Sequence, residues 1–208
     1  MIILIPMDLP AYRRLLREYI REQAQPPDKF SHQPRLYALA RSLAESKPYD
    51  DDVLYAAAWL HDLGVFTGHR PENLAELARW DNVAYAIREA PGLLQRFGFP
   101  TEKIASVLEV IRTHQPAAEP TSFEGELLRD ADILEQLGAV GLLRTVSKVG
   151  RDTRYPRFSD VLAVLRTNVE TLPKKLRLES ARVQLEPRVA ILRSFLDAAE
   201  REAGGIPW

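Results

Sequence analysis

The apolar residues of this chain recur at helical spacing along almost its whole length. No stretch shows the sustained alternation of apolar and polar residues, rich in β-branched side chains, that is typical of strands. We therefore predict an all-α fold, a helical bundle of roughly eight or nine helices. The predicted helices cover residues 9–23, 31–46, 51–63, 72–90, 101–113, 124–136, 141–149, 158–172 and 179–202.

Several helix boundaries carry local signals. Thr101 follows Pro100 and precedes an acidic residue, which predicts a helix N-cap at Thr101. Pro48 is expected to end the second helix, because proline cannot continue it. Gly64 is placed where a glycine would cap the third helix at its C-terminus.

Charge and composition exclude several classes of protein. The 28 basic residues nearly balance the 29 acidic ones, so we expect no strong binding to nucleic acid. The chain has no cysteine, which excludes disulfides, thiolate metal ligands and a cysteine nucleophile. The apolar run at residues 1–10 lacks the basic start of a signal peptide and the length of a membrane span. We therefore expect a cytoplasmic protein without a membrane partner.

The dipeptide His61-Asp62 ends an apolar run over residues 53–60. An imidazole and a carboxylate on one buried helix are costly to leave without partners, and a divalent cation would satisfy both. The pattern predicts a metal site whose remaining ligands come from elsewhere in the chain. A buried hydrogen-bonded pair without a metal is the alternative.

The other candidate ligands lie in two further apolar segments. All four histidines fall within the first 114 residues, which suggests one shared pocket, and they are His32, His61, His69 and His114. Arg35 lies three positions after His32 and so on the same helix face. Asp130 and Asp132 are carboxylates in an otherwise apolar helix, so at least one of them should face a positive group.

These residues together resemble a known family. The order His32, then His61-Asp62 within Trp-Leu-His-Asp-Leu-Gly, then Asp132 within Ala-Asp-Ile-Leu, is similar to the H…HD…D signature of the HD-domain metal-dependent phosphohydrolases. The likeness spans roughly residues 30–150, and the segment 130–141 resembles a block of small bacterial members.

The resemblance implies an all-helical HD-domain-like bundle with His32, His61, Asp62 and Asp132 as metal ligands. It also implies hydrolysis of a phosphomonoester, phosphoanhydride or phosphodiester. Two-metal members carry additional histidines before the last aspartate, but residues 80–84 hold none, which favours one divalent ion. Mixed nitrogen and oxygen ligation suits Mn, Fe, Co, Ni or Zn better than Mg.

Further roles follow from position. We predict that Asp62 or Asp130 accepts a proton as the catalytic base. The candidate substrate-binding residues are Arg35, His114, Arg144, Lys148 and His69. Arg35 shares a helix face with a ligand, whereas Arg144 and Lys148 follow the last ligand helix. Two alternatives stay open: His114 as a cation at a helix C-terminus, and His69 as a plain surface residue.

The domain organisation is predicted from the distribution of these residues. We expect an HD-type metal-binding helical domain over residues 1–150 and a C-terminal helical extension over residues 151–208, which lacks histidine and packs on the same domain. The last helix is apolar enough to serve in packing or in a homodimer.

The sequence thus predicts a metal-dependent phosphohydrolase acting on a small phosphorylated molecule, with a nucleotide as the favoured substrate. The first alternative is a catalytically silent metal- or ligand-binding regulatory module on the same fold. The second is a purely structural helical protein.

Overall fold

The computed structural model describes residues 10–151 and 155–206. Within these residues the chain forms eleven α-helices and no strand, with one isolated bridge between Thr67 and Arg70. The helices are α1 Ala11–Gln23, α2 His32–Leu43, α3 Asp51–Leu60, α4 Leu74–Leu77, α5 Asn82–Arg96, α6 Ile104–Thr113, α7 Phe123–Gln136, α8 Ala139–Val146, α9 Phe158–Thr171, α10 Glu179–Val183 and α11 Leu185–Ala203. The predicted all-α bundle is confirmed, with a helix count close to the expected one.

Helix α3 lies at the centre of the bundle. It packs against α1, α2, α5, α6 and α7, and every residue from Val53 to Leu60 is buried. A helix surrounded in this way has to be apolar on all sides, which is what the run over residues 53–60 provides. Asp50 begins the helix as its N-cap, accepting hydrogen bonds from the backbone N–H groups of Asp52 and Val53.

Two predicted helices are divided in the structure. The segment predicted as one helix over residues 72–90 forms α4 and α5, because Asn73 caps the first and Asp81 caps the second with its side chain. Helix α5 then continues past the predicted end at residue 90, through Pro91, to Arg96. Ala90 and Leu94 are buried on either side of the proline. The segment predicted over residues 179–202 is likewise split into α10 and α11 at Gln184.

Other boundaries move by one turn or less. Thr101 is not the N-cap of α6 but begins a 3₁₀ turn, Thr101–Lys103, that leads into it. Similar turns occur at Pro27–Ser31, Leu63–Val65 and Leu172–Lys175. The predicted first helix starts at residue 9, which lies outside the described residues.

Gly64 does not cap α3 as predicted. It lies inside the 3₁₀ turn Leu63–Val65, where the start of α5 approaches it closely. A Cβ atom on Gly64 would lie 2.6 Å from the carbonyl oxygen of Asn82. Because this oxygen belongs to the backbone, no side-chain rotation could relieve the contact. Glycine is therefore required here for close packing against α5 rather than for helix capping.

The C-terminal helices pack on α7 and α8. Helices α9 and α11 contact α8, and α10 contacts α7. Val189, Leu192 and Leu196 of α11 are buried, whereas Ile191 is exposed. The packing function expected for this helix is therefore seen, and dimerisation stays a prediction. No helix in the described part of the chain is both long and apolar enough to cross a lipid bilayer.

An ion-pair network holds the start of α3 against α1 and α6. Arg13 donates to Asp51 and Asp52 at 2.8 and 2.7 Å, and Lys103 lies 3.0 Å from Asp52. Burial alone would raise the pKa of Asp52, but hydrogen bonds from Tyr12, Arg13 and Lys103 outweigh it and lower that pKa to about 2.

We predict that Asp52→Asn lowers the free energy of unfolding at neutral pH by about 1–2 kcal/mol. A carboxylate with a depressed pKa stabilises the fold above its unfolded pKa, and this stability is lost as the pH falls toward the folded value. Urea unfolding at several pH values should therefore show a weaker acid dependence between about pH 4 and pH 2 in the variant. The exposed Asp28, changed to Asn, is the control and should leave this dependence unaltered.

We also predict opposite effects for two glycine substitutions. Gly64→Ala should destabilise the fold by about 1–3 kcal/mol, because the methyl group collides with the backbone of α5. Gly92→Ala, inside α5 and with no atom near the added Cβ, should stabilise it by about 0.5–1 kcal/mol through higher helix propensity. Thermal unfolding of the two variants measures this, and equal shifts would contradict the close approach at Gly64.

Candidate metal centre

Three helices bring the predicted ligands to one place. His32 is the first residue of α2, His61 and Asp62 directly follow the end of α3, and Asp132 lies in the second half of α7. Because α2 packs against both α3 and α7, these residues converge although they are up to 100 positions apart in the sequence. Both histidines are buried.

The ligand atoms are spaced as they would be around one ion. His32 Nε2 lies 3.7 Å from Asp62 Oδ2 and 3.6 Å from Asp132 Oδ1, and His61 Nε2 lies 3.5 Å from Asp62 Oδ2. These separations are too long for good hydrogen bonds. Ligands that share one ion at about 2.0–2.2 Å are themselves about 3.0–3.5 Å apart, which is close to the observed spacing.

The Nδ1 atoms of the histidines are engaged outside the cluster. His61 Nδ1 donates to the carbonyl of Ala58 at 3.0 Å, and His114 Nδ1 to that of Ile111 at 2.6 Å. His32 Nδ1 lies 3.0 Å from Glu135 Oε2. Carbonyl and carboxylate oxygens only accept, so each of these Nδ1 atoms carries a proton, and in the neutral imidazole the Nε2 atom then presents a lone pair.

The lone pairs of two histidines have no partner. His32 Nε2 and His61 Nε2 are buried and lack a hydrogen bond. The alternative of a hydrogen-bonded His61-Asp62 pair is therefore not observed. An unpaired buried nitrogen is costly, and two imidazole nitrogens facing two carboxylates form the donor set that a divalent ion accepts. The residues present thus fit a metal ion.

The protonation states suit ligation. Burial lowers the pKa of His61 to about 4, even though the charge of Asp62 opposes this, so the imidazole is neutral near neutral pH. Burial would raise the pKa of Asp62, but His61, which becomes positively charged only below about pH 4, then lowers the pKa of Asp62 below its usual range, so Asp62 is ionised near neutral pH. A neutral imidazole and an ionised carboxylate are the forms that bind metal.

His114 lies beside this centre. Its ring is 5.0 Å from that of His61 between centroids, and its ligand atom falls within 4.8 Å of those of His61 and Asp62. It also stands at the C-terminal end of α6, as the helix-capping alternative expected. The structure therefore brings His114 to the cluster, and its predicted role in substrate binding stays a prediction.

Glu135 is a residue of this site that the sequence interpretation missed. It is buried, and its carboxylate contacts His32, Arg35 and Arg144. The signal was present in the sequence, because Glu135 lies three positions after Asp132 and so on the same face of α7. Arg35 and Arg144, both predicted to bind substrate, are thereby placed next to a predicted metal ligand.

Asp130 lies elsewhere, and its predicted role as proton acceptor is corrected. Its Oδ2 accepts the backbone N–H groups of Arg177 and Leu178 at 2.8 and 2.7 Å, and its Oδ1 lies 3.3 Å from Arg129. The side chain is fully buried among these partners. Asp130 anchors the segment before α10 to α7, and it does not face the cluster.

His69 also lies outside the cluster. Its two ring nitrogens are engaged by Gln23 of α1 and Tyr85 of α5, each at 2.8 Å. It is thus neither a pocket residue nor a plain surface residue, but a link between two helices. Lys148 lies after α8 with its Nζ 5.6 Å from the ring centre of Tyr155, and its substrate role stays a prediction.

The fold agrees with comparisons to known proteins. The family model of the HD domain matches residues 30–137, more than half of the chain. The chain therefore belongs to the HD-domain family, as the resemblance in its motifs indicated.

Individual relatives cover nearly the whole chain. YpgQ of Bacillus subtilis strain 168, an uncharacterized protein, is 26% identical over 190 residues, which cover 84% of each chain. The crystal structure of YpgQ in complex with ADP superposes with a TM-score of 0.69 at 22% identity, covering 94% of this chain and all of the other. A predicted HD superfamily hydrolase from an uncultured Thermotogales bacterium has a TM-score of 0.61 at 26% identity and 91% coverage of both chains.

We predict that His61→Ala abolishes stoichiometric metal binding, whereas His69→Ala retains it. Loss of a ligand should weaken binding by more than the roughly 10–100-fold typical of residues that only support a ligand. Elemental analysis after dialysis against Mn²⁺ measures the metal content, and circular dichroism checks that both variants are folded. Equal metal content in the two variants would contradict the ligand assignment.

Proposed function

We propose that this protein is a metal-dependent phosphohydrolase that acts on a nucleotide. The observation that carries the proposal is the pair of buried, unpartnered Nε2 atoms of His32 and His61, which face Asp62 and Asp132. Membership of the HD-domain family and the likeness to a predicted HD superfamily hydrolase support it.

The accessible side of the centre is formed by its carboxylates. The side chains of His32 and His61 are 4% and 1% exposed, whereas those of Asp62 and Asp132 are 21% and 15% exposed. Substrate and water therefore approach from the carboxylate side, while the imidazoles are sealed behind it. A divalent ion bound there would polarise a phosphoryl oxygen and lower the pKa of a water molecule.

The residues of the chain would bind and orient the phosphate. Arg35 contacts Glu135 through its Nε and Nη2 atoms, and Arg144 contacts it through Nη1. Each guanidinium carries five N–H donors, so further donors can turn toward a phosphate group at the centre. We retain Asp62 as the proton acceptor, since it is ionised and reaches solvent.

The proposal of a nucleotide substrate has separate support. YpgQ, which shares this fold, binds ADP in its crystal structure. Two arginines on one side of a metal centre suit the charge of a nucleotide phosphate group. We accordingly propose a nucleotide as the substrate, cleaved at a phosphate ester or anhydride bond.

We predict chelator-sensitive hydrolysis of at least one nucleotide. Protein purified without added metal should be assayed against nucleoside mono-, di- and triphosphates and p-nitrophenyl phosphate, with Mn²⁺ and with EDTA. We expect activity with Mn²⁺, its loss with EDTA and its return when metal is added in excess. Glu186→Gln, an exposed residue at the start of α11 and 54 positions after Asp132, is the control and should retain the activity.

The same assay separates the alternatives. Bound metal without turnover of any substrate would favour the silent regulatory module. Absence of metal binding under any loading condition would favour the structural protein and would contradict the proposal as a whole.

A further inference from the structure

We propose that Glu135 is a positioning residue that couples metal binding to phosphate binding. One carboxylate fixes the tautomer of a metal ligand and also holds the two arginines beside it. The part that concerns the arginines rests on the proposed function, whereas the part that concerns His32 does not.

Glu135 lies where three helices of the centre approach one another. It extends from α7 one turn after Asp132, and its side chain is 6% exposed. His32 and Arg35 reach it from α2, and Arg144 reaches it from α8. Glu135 is thus the point at which three helices of the centre meet through polar contacts.

Both carboxylate oxygens of Glu135 have hydrogen-bond partners. Oε2 lies 3.0 Å from His32 Nδ1 and 3.1 Å from Arg144 Nη1. Oε1 lies 3.1 Å from Arg35 Nε. All of these neighbours are donors, and an ionised carboxylate is the only side-chain group of this shape that accepts at both oxygens.

The contact with Glu135 determines which ring nitrogen of His32 carries the proton. Because Glu135 only accepts, it keeps the proton of His32 on Nδ1 and leaves the Nε2 lone pair aimed at Asp62 and Asp132. Glutamine would have the same shape but would present an NH₂ group to at least one donor. Either His32 then changes its tautomer or an arginine moves away.

Glu135 also holds Arg35 and Arg144 beside the centre. Without Glu135 the positive charges of the two arginines would repel one another, and Glu135 offsets this repulsion while leaving these three residues with a net positive charge. An incoming phosphate finds both guanidinium groups already held in place. Their side chains are 38% and 31% exposed, so each is reachable from solvent.

A purely structural ion pair would give a different result from a positioning residue. Such a pair would change the stability of the fold but not the affinity for metal or the tautomer of His32. Glu126 provides a matched control, because it is a glutamate of the same helix that contacts Arg177 at 3.6 Å. Neither Glu126 nor Arg177 belongs to the metal centre.

We predict that Glu135→Gln weakens Mn²⁺ binding by about 10–100-fold, whereas Glu126→Gln leaves it unchanged. Competition with a fluorescent chelator measures the affinity. Long-range ¹H–¹⁵N NMR of the metal-free protein reports which nitrogen of His32 carries the proton. We expect Nδ1–H in the wild type and a shift toward Nε2–H in Glu135→Gln.

Two further measurements make the test complete. Glu135→Asp keeps the charge and should restore part of the Mn²⁺ affinity, and it replaces the glutamine variant if that variant fails to fold. With a nucleotide substrate and saturating Mn²⁺, Glu135→Gln should raise KM more than it lowers kcat, because the arginines are no longer held.

The outcomes are distinct from those of the proposed function. Unchanged Mn²⁺ affinity and an unchanged His32 tautomer in a folded Glu135→Gln variant would overturn the inference, whatever the enzymatic activity. If Glu135→Gln binds Mn²⁺ more weakly but the wild-type protein hydrolyses no nucleotide, the role of Glu135 toward His32 is supported and the proposed function is contradicted.

Discussion

The constraint on which the rest of this structure depends is the burial of two imidazole nitrogens without hydrogen-bond partners. His32 Nε2 and His61 Nε2 lie inside the bundle, where an unpaired polar atom is costly. Their Nδ1 atoms are engaged by Glu135 and the carbonyl of Ala58, so the rings cannot turn away without losing those contacts. The fold therefore holds two lone pairs toward a shared point, and this arrangement is the basis of the proposed chemistry.

Much of this could be predicted from the sequence, because the strongest constraints are local. Eight consecutive apolar residues before His61 indicate a helix buried on all sides, and α3 is such a helix. Helix geometry could also have placed Asp130 and Glu135, although the role predicted for Asp130 was wrong and Glu135 was missed. Residues two apart on an α-helix point about 200° from one another, whereas residues three apart share a face. With Asp132 facing the centre, Asp130 had to face away and Glu135 had to face inward.

What the sequence could not predict depends on contacts between distant segments. Periodicity alone extends one helix across residues 72–90, and it does not weigh the side-chain caps of Asn73 and Asp81 against continuation. His69 stands in a loop whose partners come from α1 and α5, which only the packed bundle brings within 2.8 Å. Gly64 looked like a helix cap because the approach of Asn82 is invisible in a linear pattern.

The anchoring of Asp130 has a consequence for how this domain can be cut. The HD-domain model ends at residue 137, yet the carboxylate of Asp130 accepts hydrogen bonds from backbone N–H groups 47 and 48 positions farther along. An excised fragment that stopped at residue 137 would keep all four predicted ligand side chains and Arg129, but Asp130, two residues from Asp132, would lose both of its backbone donors. The C-terminal helices are thus part of the framework that holds α7, the helix that carries the last predicted ligand.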